Sequence, residues 1–160
     1  MQSPRTLPQT FRAVSGYSEP VERAELIEYV TRHRDGIVAT TGPVGGPQAA
    51  YLTIAVTDRA ELVFDARPDS RKVANIRRDP RVAIVLGGPD GTTLQCEGTA
   101  DFPEGDDLVR CASAYLAAFP EFESSLNGDV VVIRVRLEWA RYGDYRGGRS
   151  FSSDVDLTFT

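Results

Sequence analysis

Ser70, Arg71 and Lys72 are the residues whose types and spacing point most directly to chemistry. A serine followed by two adjacent cations at the start of a short helix makes a compact anion receptor. First-turn N–H groups have no partner inside the helix, and the helix dipole adds partial positive charge. Arginine offers a planar fork and lysine a mobile point charge, both suited to phosphate oxygens. Taken alone, the same turn also reads as a solvated helix face. Asp69 or Ser70 is then an N-cap, and Val73 and Ile76 pack inward.

Other candidates reduce to structural roles. His33 is the only histidine, so a Ser-His-acid triad would have to use it and a zinc site would lack ligands. It sits in the polar tail of a helix before Gly36, where a cation is a common structural feature. Cys96 and Cys111 are the only cysteines and read as buried free thiols. The glycine-rich stretch 42–47 lacks the Gly-Lys-Ser/Thr ending of a nucleotide loop and joins two strands, so it reads as a hairpin turn. Glu104, Asp106 and Asp107 precede a helix and complement its positive end. No metal site is expected, and no side chain is assigned as a catalytic acid or base.

These residues must be positioned by a largely β framework. A helix starting at Ser18-Glu19-Pro20 carries Val21, Ala24, Leu26, Ile27 and Val30 on its apolar face and ends at Gly36. Strands are expected over 37–41, 49–56, 61–65, 81–86, 92–102 and 130–139. The helix at Ser70 lies between the third and fourth of these. Another helix, with Leu108, Cys111, Ala112, Tyr115, Leu116 and Phe119 on one face, closes at Pro120. Short turns between the early strands favour antiparallel pairing. The expectation is a mainly β fold: a six-stranded antiparallel split β-barrel of Greek-key type with flanking helices.

At 160 residues the chain suits one domain with a substantial core. We divide it into an arm over 1–18, the barrel domain over 19–150 and a tail over 151–160. The net charge of −5 disfavours a nucleic-acid binder, which needs surplus Lys and Arg facing phosphates. The first 18 residues contain Pro4 and Pro8 and no apolar run, so neither a signal peptide nor a membrane segment is expected, and a cytoplasmic location follows.

The stretch from Leu62 through Ser70-Arg71-Lys72, Asn75-Ile76 and Asp79-Pro80-Arg81-Val82 resembles the pyridoxamine 5'-phosphate oxidase-like split-barrel flavoproteins. The likeness continues through Leu94 to Ala100 and Glu138 to Tyr145, covering roughly residues 20–146. It implies a homodimer with FMN in grooves at the subunit interface and a small-molecule substrate. Arg71 and Lys72 would hold the flavin phosphate, with Ser70 and the backbone of Asp65 and Ala66 nearby. The strand from Ala50 to Ala55, including Tyr51 and Thr53, would run beside the flavin ring. Thr93 and Trp139 match flavin-contacting positions.

Departures from the family pattern narrow the activity. Ala50 and Ala55 replace basic residues, and Asp65-Ala66 stands where relatives often carry hydroxyl residues. An aspartate beside a phosphate is repulsive unless Arg67 or another cation neutralises it. The C-terminal Arg-x-His-x-Arg segment of the true oxidases is absent, which argues against vitamin B6 oxidation. The resemblance therefore implies an FMN-dependent oxidoreductase. A deazaflavin-dependent reductase on the same fold and a non-catalytic flavin-binding or stress-related dimer are the alternatives.

Overall fold

Alternating apolar and polar residues set out most of the strands, and where they pair decides the shape. The computed structural model describes residues 20–148 and 150–158. The arm expected over 1–18, and the helix start at Ser18 and Glu19, lie outside the described residues. Helix α1 (Arg23–His33) begins later than the sequence suggests. Glu22 and Glu25 form a reciprocal capping box. Val21 is extended instead of helical, bridging in parallel to Val155. Leu26, Tyr29 and Val30 form the buried face.

Strands β1 (Asp35–Thr41) and β2 (Pro47–Thr53) form the expected hairpin. Gly42 N–H donates to Gly46 at 2.8 Å, and Gly45 takes a φ of +88° that the turn requires. The run 49–56 is not one strand. Ile54 leaves the ladder to donate its N–H to the carbonyl of Arg34 at 2.8 Å, and β3 (Ala55–Val56) follows. Then come β4 (Leu62–Ala66), helix α2 (Arg71–Arg78), β5 (Arg81–Gly87) and β6 (Thr92–Asp101). Helix α3 (Gly105–Ala118) ends before Pro120, as expected, and the short α4 (Glu123–Leu126) leads to the last two strands. These are β7 (Val131–Asp144) and β8 (Phe151–Asp154), which pairs with β7.

All pairings between these strands are antiparallel, in the order β2-β1-β5-β6-β7-β4-β3 with β8 beside β7. The two edges are continuous chain, since β2 runs through Ile54 into β3. The sheet must therefore curl into a half-barrel. Long β7 is the seam, pairing with β4 through its first residues and with β6 and β8 through its later ones. The register shifts at Glu97/Gly98, where the strands approach closely enough to require glycine. A side chain at Gly98 would meet the carbonyl oxygen of Arg136 at 2.3 Å.

The main core fills the concave face, with Leu62, Phe64, Leu86, Leu94 and Ile133 under α1 and α2. A second cluster of Ala55, Val63, Cys111, Tyr115 and Phe119 lies between the sheet and α3. That is why β4 is buried on both faces. Cys96 and Cys111 are free, buried thiols, and burial pushes Cys96 up to about 12. No described helix is long and apolar enough to cross a membrane.

Candidate functional site

The N-terminus of α2 is built by local chemistry. The N–H of Ser70 donates to the carbonyl of Arg67 at 3.0 Å, closing the turn through Pro68 and Asp69. Ser70 then caps the helix, its Oγ accepting from the N–H of Val73 at 3.4 Å. Val73 and Ile76 are buried beneath the helix, as the apolar spacing requires.

The four cations of α2 divide into two pairs. Arg77 lies over the ring of Phe102, with its guanidinium 4.4 Å from the centroid. Arg78 donates to the carbonyl of Thr41 and to Asn75 Oδ1. Arg71 and Lys72, the only lysine of the chain, form no side-chain hydrogen bond or ion pair among the described residues. Most other described cations are matched: Arg67 with Asp69, Arg81 with Asp79, Arg134 with Asp101, Arg141 with Asp154 and Arg146 with Asp144. The first turn of α2 holds no acidic residue. Two unmatched cations at the positive end of a helix oppose the usual dipole preference. An anion there removes the conflict.

Arg71 and Lys72 line a groove of about 290 Å³ with Val38, Thr40, Gln48 and Ala50. Ala49 completes it at the edge strand β2. Register connects this groove to the outer face of the sheet. Ala49 lies opposite Ala39, which lies opposite Ala83, then Glu97, then Trp139. The neighbouring row runs Tyr51, Ile37, Val85, Gln95 and Arg141. Directly paired residues share a face. The groove lies mostly on the concave side of β1 and β2 and, at Ala49, meets the edge of the outer face, where the row of Ala39 and Ala83 leads through Glu97 to Trp139. Tyr51 is 70% exposed and Ile37 43%. The phenol of Tyr51 is raised by its hydrogen bond to Asp35.

Other expected site residues lie apart from this groove. Ala66 faces the main core. Asp65 is on the opposite side of β4, on the same face as Val63, and its Oδ1 accepts from the hydroxyl of Tyr115 at 3.0 Å. Tyr115 has one proton to give, so Thr53 must donate to the Tyr115 oxygen, 2.9 Å away. Burial first, then contact with Asp65, pushes the Tyr115 phenol up to about 12. Arg67, the cation considered for neutralising Asp65, forks onto Asp69 instead. Thr93 lies opposite Gly143 on the outer face. Its Oγ1 is buried without a hydrogen-bond partner. The ring of Tyr145 crosses Gly143 at a distance that leaves no room for a side chain there.

His33 is the last residue of α1 and serves structure. Its Nδ1 meets the carbonyl of Tyr29 and its Nε2 meets Asp90, each at 2.9 Å. Its ring stacks on Tyr29 with centroids 3.8 Å apart. The hydrogen bond from His33, then those from Thr92, hold the carboxyl of Asp90 well below the usual range. Glu104, Asp106 and Asp107 cap and begin α3, and Asp107 also pairs with Arg110 and Arg134. Sequence reasoning missed Gln48, Thr40 and the hub role of Asn75, because only folding brings α2 against the β1–β2 hairpin.

The sequence matches the family model described as pyridoxamine 5'-phosphate oxidase over residues 22–143. No curated protein matches. Among solved structures, a heme-binding protein from Mycobacterium smegmatis aligns with a TM-score of 0.72 and 23% identity, over 88% of this chain and 60% of that one. The chain thus spans about three fifths of that protein's length. A conserved hypothetical protein from Mycobacterium tuberculosis aligns at 0.66 and 28%, covering 86% of this chain and 91% of the other. A protein described as a putative pyridoxamine 5'-phosphate oxidase from Listeria innocua aligns at 0.60 and 22%, covering 75% of this chain and 96% of the other.

Proposed function

The chain belongs to the pyridoxamine 5'-phosphate oxidase family, and from that premise we propose that it is an FMN-binding homodimer acting as an oxidoreductase on a small molecule. The observation that carries this reading is the pair Arg71 and Lys72, unmatched among the described residues and lining a groove that reaches the edge of the outer sheet face at Ala49. Two cations and a helix N-terminus suit a phosphate dianion. The floor of Ala39, Ala49 and Ala83 suits a flat ring, with Trp139 beside it. Ile37 and Tyr51 stand exposed on the same face, and a second copy of the chain would cover them and exclude water from the groove.

In this reading Arg71 and Lys72 bind the phosphate and set how far along the face the ring reaches. The residues of β2 and Trp139 orient the ring, and the partner subunit closes the groove. Bound FMN would supply the capacity to accept and return electrons. Vitamin B6 oxidation is not the proposed reaction. The single histidine is committed to Tyr29 and Asp90, and the basic residues of the family strand are Ala50 and Ala55.

The Mycobacterium smegmatis relative raises heme as a second cofactor. Both ring nitrogens of His33 are engaged and both thiols are buried. A heme iron held by the described residues would then need a tyrosine ligand, and the cationic character of the groove favours the phosphate-bearing flavin. Titration of the purified protein with FMN, riboflavin, a deazaflavin coenzyme and heme, followed by absorption and fluorescence, tests the assignment. Micromolar FMN binding that weakens sharply in R71A/K72A is expected. Binding of heme alone, or of neither flavin, overturns the proposal.

A further inference from the structure

We infer that a relay through the buried Asn75, from Arg78 to the pair Thr40 and Gln48, makes those last two residues hydrogen-bond donors to a phosphate dianion in the α2 groove. The inference rests on the flavin reading only for which molecule carries the phosphate.

The direction of each bond follows from donor chemistry. A guanidinium can only donate, so the contact of Arg78 with the amide of Asn75, 3.0 Å, must be to the Asn75 oxygen. Both amide protons of Asn75 then point the other way. They meet Thr40 Oγ1 and Gln48 Oε1, each at 2.9 Å. Asn75 is 2% exposed, and this arrangement leaves none of its polar atoms without a partner. Arg78 is itself steadied by a second bond to the carbonyl of Thr41.

The consequence falls on the groove. Thr40 accepts from Asn75 and keeps its own hydroxyl proton, which has no acceptor among the described residues. It is only 5% exposed and lines the groove beside Arg71 and Lys72. Gln48 gives its oxygen to Asn75, so its NH2 group, which lies beside Gly42, is left over, and the residue lines the same groove. The groove's polar side chains are therefore all donors: two cations, one hydroxyl and one amide. The remaining lining is Val38, Ala49 and Ala50. A tetrahedral dianion with several acceptor oxygens matches that set, and a neutral ligand end does not.

Asn75 is thus a positioning residue, and Gln48 and Thr40 are binding residues. The test uses the full chain, purified without added flavin. Inorganic phosphate is titrated into 15N-labelled protein, with sodium chloride at matched ionic strength as control. The side-chain amide signals of Gln48, assigned by their loss in Gln48→Met, are expected to shift with phosphate and not with chloride. In parallel, Gln48→Met and Asn75→Asp are expected to weaken FMN about tenfold or more while leaving riboflavin affinity unchanged. A merely structural role for Asn75 would weaken both flavins together. Gln48→Met replaces a partly exposed residue and keeps the test intact if Asn75→Asp fails to fold. Unmoved Gln48 signals, or full FMN affinity in Gln48→Met, overturns the inference. If the parent binds no FMN yet phosphate still shifts Gln48, the flavin reading fails and the anion site stands.

Discussion

Tyr115 on α3 donates its hydroxyl proton to Asp65 on β4 at 3.0 Å, which ties the helix to the sheet and draws the carboxylate to the α3 side of β4. Asp65 is the next-to-last residue of β4, just before the turn into α2, so its sequence position alone suggests charge beside the Ser70 anchor. Strand alternation decides otherwise. Asp65 shares its face with Val63, under α3, whereas Ala66 faces the main core.

Tyr115→Phe removes this bond and the acceptor that Thr53 uses. A polar group left unmatched in a partly buried place costs about 1–3 kcal/mol, and urea unfolding should register a loss in that range. Asp65→Asn retains an acceptor for Tyr115 and should cost less. Its FMN affinity should equal the parent's, because the carboxylate does not line the groove. Tighter FMN binding in Asp65→Asn would place that charge beside the phosphate after all.

The outer sheet face provides the test of assembly. Ile37 stands between Tyr51 and Val85 in one register row, and Ile37→Glu puts a charge where the proposed partner would sit. Sedimentation velocity should change from dimer to monomer, with the thermal midpoint of the monomer measured separately. A parent protein that sediments as a monomer would remove the interface.

Ser70 contributes modestly to stability. Its capping bond is long, 3.4 Å, so Ser70→Ala should cost about 0.5 kcal/mol, the lower end for an N-cap. Ser70→Gly should cost only a few tenths, roughly. Chemical denaturation distinguishes these values from the larger loss of a well-formed cap.

Acid should destabilise the fold in a defined window. Burial raises the carboxyl of Glu61, but bonds from Arg110 and Thr57 outweigh it and the net shift is downward. The hydrogen bond from Arg81 brings Asp79 from 3.8 to about 2, and that from Arg146 does the same for Asp144. A group whose folded value is depressed contributes stability that is complete above its unfolded value and is lost as pH falls toward the folded one. The thermal midpoint should therefore hold steady at pH 6 and fall from about pH 4.5 toward 2. Glu61→Gln should flatten the upper part of that fall. An unchanged slope would mean that Glu61 is not depressed in solution.

The strand pattern, the hairpin at 42–47, the end of α3 before Pro120 and the cap at Ser70 were all legible in residue types, because each depends on neighbours in sequence. The start of α1 was not. Ser18-Glu19-Pro20 is a good local signal, but the bridge of Val21 to Val155, near the far end of the chain, holds Val21 extended, and the helix starts after it at the local Glu22–Glu25 box. The break at Ile54 is of the same kind, since its N–H goes to Arg34. The expected tail likewise contains β8, whose partner β7 no short-range pattern names.

Sequence alone determined that two adjacent cations open a short helix between strands, that its apolar positions must face inward, that any triad would have to use the one histidine and that a zinc site would lack ligands. Only the tertiary structure decided which cations stay unmatched. Arg77 and Arg78 find Phe102 and Thr41 across the packed interface, while Arg71 and Lys72 are left facing a groove. The reason is physical: a side chain's charge is written in its type, but the partners that neutralise or orient it come from strands and helices distant in sequence.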